Sequence, residues 1–357
     1  MSFKGKFRKS LFEFKKESYV KGTIPKDILD CSLGTNPFGF PKEILKEIEL
    51  ESLLDFSKYP SPYNDRLREK LVEYWEGTFG EDEVFIGTGS MGCLEKINKF
   101  AISEGSHVLG YAPQFQEYIT QVRVMGGVYE YVALKEENDF EFVPEEFMER
   151  IREEHVLVYI DNPNNPTGQV ISLDVIEEIV KKAASKEVIV IVDEAYGDFM
   201  GKKNSAINLD YPNLIVVRSF SKGFGLANLR VGYVVIKGGE IRELYSKVTL
   251  PFQVSTLAEE IAVKVLEHSE FLKDNIEKIS KEKKKIVSHL KELGFKVAKT
   301  DMTIPILLAG KKGFNTYNYL LRKGILTVNG ADFLGLDSSY VRIRVPAKAD
   351  ELVKRLC

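Results

Sequence analysis

The sequence predicts an α/β protein in which a mostly parallel sheet is covered by helices on both sides and joined to a second, smaller α/β domain. Three observations predict it. Short runs rich in β-branched residues recur through the middle of the chain, continuous rather than alternating, as in strands buried on both faces. Amphipathic helical stretches separate them, the alternation that places parallel strands in one sheet. After Pro251 the texture changes to long helical periodicity followed by shorter strand-like pieces. The boundaries read as 45–250 for the large domain, with 1–44 and 251–357 forming the small domain and its N-terminal segment.

Taken in order, the basic N-terminus has Phe3, Phe7, Leu11 and Phe14 at helical spacing. This predicts a short amphipathic helix docked on the protein rather than a targeting signal, because no apolar signal core follows. Strands are predicted at Val84–Ile86, His107–Gly110, Val156–Ile160, Val188–Val192, Leu214–Val217 and Val231–Ile236. A helix over Leu173–Ala184 opens on Ser172, with Asp174 in its first turn, an ordinary N-terminal signature. A helical region runs from Thr256 to Leu293, broken near His268–Ser269, and its basic run Lys281 to Lys285 reads as a solvated face. Shorter strands follow at Phe295–Ala298, Ile304–Leu308 and Tyr340–Val345.

Composition narrows the function classes. A formal net charge of −3 gives no reason to expect nucleic acid or an acidic membrane as partner, and no run of about 18 apolar residues predicts a membrane span. Cys31, Cys93 and Cys357 are odd in number and far apart, which argues for a reduced, cytoplasmic protein without a disulfide framework. His107, His155, His268 and His289 show no metal-ligand spacing, so no metal is expected.

Gly87-Thr88-Gly89-Ser90-Met91-Gly92 spells G-x-G-x-x-G between a strand and a helix, the context of a dinucleotide site. Such a site needs a carboxylate at the end of the next strand for the ribose. That strand reads His107-Val108-Leu109-Gly110-Tyr111 and has none. A nicotinamide enzyme is thereby disfavoured, yet a glycine-lined turn at a helix N-terminus still suits a phosphate.

Three further segments follow predicted strands. Asp161-Asn162-Pro163-Asn164-Asn165-Pro166-Thr167-Gly168 comes first, then Asp193-Glu194-Ala195-Tyr196, then Ser219-Phe220-Ser221-Lys222 with Arg230 eight residues on. All lie beyond C-terminal strand ends, where open α/β sheets bind ligands. Singly they have bland readings as turns, caps and surface charge. In this order and spacing the chain resembles the fold-type I pyridoxal-5′-phosphate (PLP) enzymes, specifically the class I/II aminotransferases. The resemblance implies a three-layer PLP-transferase fold of the aspartate-aminotransferase type. Within the class it is most similar to the histidinol-phosphate aminotransferase and threonine-phosphate decarboxylase branch, through Gly34-Thr35-Asn36-Pro37-Phe38-Gly39 and Tyr59-Pro60-Ser61-Pro62.

The resemblance implies roles residue by residue. Lys222 would carry PLP through an imine and move a proton, and Asp193 would pair with the ring nitrogen. Asn165 and Tyr196 would bind the ring hydroxyl, and Phe115 would stack on the ring. Gly89, Ser90 and Met91 at the helix start, with Ser219, Ser221 and Arg230, would hold the phosphate. Tyr59 would reach the phosphate of the neighbouring subunit, implying a homodimer. Arg342 would clamp the substrate carboxylate, with Arg344 two residues on as the competing candidate, and Asn36 and Asn165 would also face the substrate. The partners implied are a small amino acid or amine and a 2-oxo acid.

The chain departs from the branch where an arginine commonly helps to hold a substrate phosphate, because Gly324-Ile325-Leu326-Thr327-Val328-Asn329 has none. Asn228 and Pro346 stand where glycines are usual. An aminotransferase is the leading expectation. A PLP lyase (a decarboxylase, or an elimination or cyclisation enzyme) is the rival, and a PLP-fold regulator finds no spare length for a DNA-binding module.

Overall fold

The apolar runs become the strands of one seven-stranded sheet in the computed structural model, which describes residues 4–13, 27–49 and 55–357. After a short β1 (Leu29–Asp30) come β2 (Val84–Gly87), β3 (His107–Ala112), β4 (Val128–Ala133), β5 (His155–Asp161), β6 (Ile189–Glu194), β7 (Leu214–Ser219) and β8 (Gly232–Ile236). Their spatial order is β2-β8-β7-β6-β5-β3-β4. Only β8 runs against its neighbours; every other pair is parallel.

Period-two packing on two covered faces explains the continuous apolar runs. Leu157 and Tyr159 of β5, Ile191 of β6 and Ile215 and Val217 of β7 share one core cluster, and Val158, Ile160, Val190, Val192, Leu214 and Val216 share the other. The first is closed by α2 (Gly89–Ala101) and α3 (Gln116–Val124), the second by α1 (Asp65–Tyr74) and by α5 (Leu173–Ala184), the helix that follows the short α4 (Pro144–Met148). Ser172 caps α5 by accepting from the Val175 N–H.

Beyond α6 (Gly239–Val248), the expected helical break gives α7 (Thr256–Glu267) and α8 (Phe271–Glu292). A four-stranded sheet follows in the order β12 (Val328–Asn329), β13 (Tyr340–Arg344), β10 (Ile306–Gly310), β9 (Lys296–Val297), while β1 pairs with β11 (Ile325–Leu326). Helices α9 (Thr316–Arg322) and α10 (Ala349–Leu356) complete the C-terminal part.

Three expectations are corrected. The N-terminal stretch forms 3-10 turns at Lys4–Lys6 and Lys9–Phe12 instead of one amphipathic helix, with Phe7 and Leu11 exposed. Gly5 within it weakens a helix; Phe3 and Phe14 lie outside the described residues. Docking does occur, since the Ser10 hydroxyl donates to the Val124 carbonyl at 3.1 Å. The edge strand β4 was not expected, because its mixed Val-Tyr-Glu-Tyr-Val-Ala run is half exposed. Lys283, in the basic run read as solvated, is 0% exposed, whereas Lys281 and Lys284 do face solvent. Among the described residues no helix is long and apolar enough to cross a membrane.

Candidate active site

Every polar segment singled out in the middle of the chain leaves the same edge of the large sheet. The register aligns them: Asp161 lies opposite Asp193, and Gly232 opposite both Gly87 and Ser219.

Asp193 ends β6, 3% exposed. It accepts from the Tyr159 hydroxyl at 2.8 Å and from the Ala195 N–H at 3.0 Å. Burial pushes its carboxyl up to about 6, and those hydrogen bonds and the nearby Lys222 pull against that rise. The group is therefore still mostly ionised at neutral pH. Two bonds leave part of a carboxylate's four-site accepting capacity for a further donor. Tyr159 is itself fixed by stacking on Tyr118, with centroids 3.7 Å apart.

Lys222 is half-buried in the turn after β7. Burial first, then the guanidinium groups of Arg342 and Arg230, push its ammonium down to about 8, with Asp193 opposing. Its Nζ lies 5.3 Å from the centre of the buried Tyr196 ring. The Tyr196 hydroxyl in turn rests on Gly34, where a Cβ would come within 1.9 Å of it. The turn is held from both sides. Asn36 Nδ2 donates to the Gly223 carbonyl at 2.8 Å, while Asn36 Oδ1 accepts from the Phe38 N–H. Beneath the turn Arg218 forms a buried bridge to Glu194 and Asp198. Asn36 thus anchors the Lys222 turn through its amide nitrogen, while its amide oxygen fixes the chain at Phe38.

An anion cradle forms where α2 begins. Gly89 has φ +75°, and a Cβ there would stand 2.7 Å from Arg230 Nη2. Arg230, itself left-handed at φ 56°, donates from Nη1 to Ser221 Oγ at 3.3 Å and to the Ala227 carbonyl at 3.0 Å. Ser219 Oγ accepts from the Ser221 N–H. Gly232 must also be bare, since its Cβ would lie 2.6 Å from the Ser90 nitrogen. The first-turn N–H groups of Gly89, Ser90 and Met91 have no intrahelical acceptor and carry the positive end of the helix dipole. Two glycines, two serines and an arginine therefore meet where a phosphate fits.

Arg342 reaches the opposite side. Its Nη1 donates to Asn165 Oδ1 at 2.8 Å and its Nη2 to the Ser32 carbonyl at 2.5 Å, with Phe333 beneath the guanidinium. Its buried Nε has no hydrogen-bond partner among the described residues. Arg344 points elsewhere, its Nη2 bonded to the Asp30 carbonyl. Asn165 is held through its own N–H by Asp161 Oδ2 at 2.9 Å, and Asp161 also accepts from Tyr111 and Asn164. Phe115, half-buried at the start of α3, packs against the margin of a core cluster, as do Met91 and Leu334. Tyr59 stands apart from this constellation, 81% exposed and paired with Phe252 at 4.9 Å.

Sequence reading assigned no role to Tyr159, Asp161, Ser32 or Phe333. Tyr159 had a signal, because a lone hydroxyl in the aliphatic run Val156–Ile160 must find a buried partner. Ser32 acts through its backbone carbonyl and left no signal.

Comparison with known proteins bears on this geometry. The family model for aminotransferase class I and II matches residues 26–357. The histidinol-phosphate aminotransferase of Caldanaerobacter subterraneus subsp. tengcongensis is 34% identical over 312 residues, covering 87% of this chain and 86% of that protein. Among solved structures, the histidinol-phosphate aminotransferase from Clostridium acetobutylicum superposes with a TM-score of 0.81 at 24% identity, covering 92% of this chain and 98% of that one. The enzyme from Sinorhizobium meliloti, solved in complex with pyridoxal-5′-phosphate, gives a TM-score of 0.79 at 22% identity, covering 92% and 91%.

Proposed function

This chain belongs to the class I and II aminotransferases, PLP-dependent enzymes of fold type I, and we propose that it moves an amino group between a small amino acid or amine and a 2-oxo acid. The observation that carries the site assignment is the position of Lys222, a half-buried amine shifted toward neutrality between the Asp193 carboxylate and the guanidinium groups of Arg342 and Arg230.

The residues present fit PLP. Gly89 and Gly232 leave a cradle that a Cβ would fill, and Asp193 retains accepting capacity beside an amine. Gly89, Ser90, Met91, Ser219, Ser221 and Arg230 would hold the phosphate, Asp193 the ring nitrogen, Asn165 and Tyr196 the ring hydroxyl, and Phe115 a ring face. When bound, the cofactor supplies an electron sink for negative charge developing at the substrate α-carbon.

The chain's own groups supply the rest. The Lys222 amine would attach the cofactor between turnovers. Once substrate had taken its place, the freed amine would take the α-proton and deliver it to the cofactor carbon that keeps the amino group, a task suited to an amine held down to about 8. Asp193, ionised and buried, keeps a proton on its partner nitrogen because a buried carboxylate gains most from a cationic neighbour. Arg342 orients the substrate carboxylate with charge-assisted hydrogen bonds. Its contact with Asn165 favours it over Arg344, which is spent on Asp30.

Histidinol phosphate, the substrate class in the relatives' names, is the first candidate. The stretch Gly324 to Asn329 offers no basic residue, which favours an unphosphorylated amino acid as the second. We further assign the exposed pair Tyr59 and Phe252 to a homodimer interface that brings Tyr59 to the partner's cofactor phosphate; a holoenzyme sedimenting as a monomer would remove that assignment. The free cysteines fit the reducing cytoplasm, which cell fractionation tests.

Absorption spectroscopy tests the main reading. Amino acids, histidinol phosphate and O-phosphothreonine are added singly to the PLP-loaded protein. The true substrate should convert the cofactor to its pyridoxamine form, and a 2-oxo acid should restore it. Recovery without any oxo acid indicates a lyase, and no cofactor band after adding PLP refutes the reading.

Gly89→Ala is expected to weaken PLP binding about five- to thirty-fold. A left-handed alanine costs about 1–2 kcal/mol, and its methyl would displace the Arg230 guanidinium. Titration of the apoenzyme with PLP measures it.

A further inference from the structure

Against the Gly168 end of the Asn162–Gly168 loop lies a cation that the chemistry above does not use. Lys283 of α8 is 0% exposed. Its Nζ touches four oxygens: Thr300 Oγ1 at 2.6 Å, the Asp301 carbonyl at 2.6 Å, the Ile304 carbonyl at 2.9 Å and the Ile306 carbonyl at 2.7 Å. None is a carboxylate. An ammonium has three N–H donors and no acceptor, so four converging oxygens suit the charged form; a neutral amine would turn its lone pair on one of them. Burial pushes the group down to about 7, with Asp301 opposing, and the oxygens act in the same sense as Asp301.

The cage adjoins the site. Gly168, at φ +73°, presses its bare α-carbon on two of the same oxygens: a Cβ there would lie 2.3 Å from the Ile306 carbonyl oxygen and 2.8 Å from Thr300 Oγ1. The Asp301 N–H donates to the Gly168 carbonyl at 2.9 Å. Ile306 opens β10, which pairs with β13 so that Ile306 faces Arg344 and Leu308 faces Arg342. One ammonium therefore gathers the turn on which both the loop bearing Asn165 and the strand bearing Arg342 are seated.

We infer that Lys283 is a built-in monovalent cation and a positioning residue, which fixes the 300–306 turn and through it the Asn165–Arg342 pair that receives the substrate carboxylate. This rests on the role assigned to Arg342 above. Oxygen cages of this kind hold small cations whatever their covalent attachment, so a cavity left by the side chain should accept a free ion.

The test is chemical rescue of Lys283→Ala, assayed as the PLP-loaded enzyme. In tetramethylammonium chloride the KM for the amino acid should rise about tenfold or more, the loss expected when charge-assisted hydrogen bonds disappear, while kcat falls less. Ammonium or ethylammonium chloride should restore much of the KM in this variant and leave the wild type unchanged. Lys283→Met, which fills the space with an apolar chain, should show the same KM defect without rescue. A wild-type KM in either variant, or a defect in Lys283→Ala that no small ammonium ion relieves, overturns the inference. Should both variants fail to fold, Lys283→Gln, which removes the charge and leaves two donors for four oxygens, takes their place, and an unchanged KM there overturns it too. If the wild-type enzyme itself shows no amino-acid-dependent reaction, the aminotransferase assignment fails first, and that outcome is distinct from these.

Discussion

Lys222→Ala is expected to lower transamination by at least about 10⁴-fold, because one residue combines cofactor attachment with proton transfer. In wild type, borohydride reduction in the presence of PLP should label the peptide containing residue 222, and the variant should lose that label. The pH dependence has a definite sign. Burial and two guanidinium groups hold the ammonium down to about 8 from its ordinary 10.5. The amine is neutral and nucleophilic above about 8, so the rate of PLP uptake by the apoenzyme should rise with pH to that point and then level. The same shift acts on stability with the opposite consequence. A lysine whose folded value is depressed disfavours folding in full below about 8, and the penalty fades as pH rises toward 10.5. At neutral pH the variant should therefore melt no earlier than wild type. A lower melting temperature would leave its inactivity open to a structural explanation; retention of the borohydride label would refute the assignment.

Residues whose role is set by chain direction were legible. Asp193, Lys222 and the Asn162–Gly168 loop each follow an apolar run, and a parallel sheet sends all such ends to one edge, so spacing alone brought them together. The register that sets Asp161 beside Asp193 needed coordinates, as did the bare α-carbons of Gly34 and Gly232, whose meaning lies in the distant Tyr196 and Ser90 they admit. Lys283 shows the limit of pattern reading most plainly. Its run has the composition of a solvated helix face, and what buries it is a ring of oxygens, most of them backbone carbonyls, that no side-chain pattern reports. Asn36 was found by its motif, but its bond to the Gly223 carbonyl needed coordinates. The edge strand β4 escaped because an edge is half wet and its run lacks the apolar continuity of the interior strands.

Arg342→Ala should raise KM for amino acids by about ten- to a hundred-fold, since hydrogen bonds between ions contribute about 1.5–3 kcal/mol each, with a smaller effect on kcat. The structure sharpens the controls. Arg342 is bound to Asn165 and to the Ser32 carbonyl, so its removal also strands two acceptors, and a modest fall in melting temperature should accompany the KM change. An amine substrate that lacks a carboxylate separates the two effects: its KM should stay near the wild-type value if Arg342 acts by clamping the carboxylate, and should rise with the rest if the loss is one of local order. Arg342→Lys should rescue little, because a single ammonium cannot serve Asn165, Ser32 and a carboxylate in one plane as the guanidinium fork does. Arg344→Ala should leave KM within about threefold, since its guanidinium is engaged with the Asp30 carbonyl rather than with Asn165, the loss of one such bond acting on stability instead. The reverse pattern, a large KM effect at 344 and none at 342, would move the clamp two residues along β13. It would also detach Asn165 from substrate binding, because the bond from Arg342 is what joins that loop to the strand.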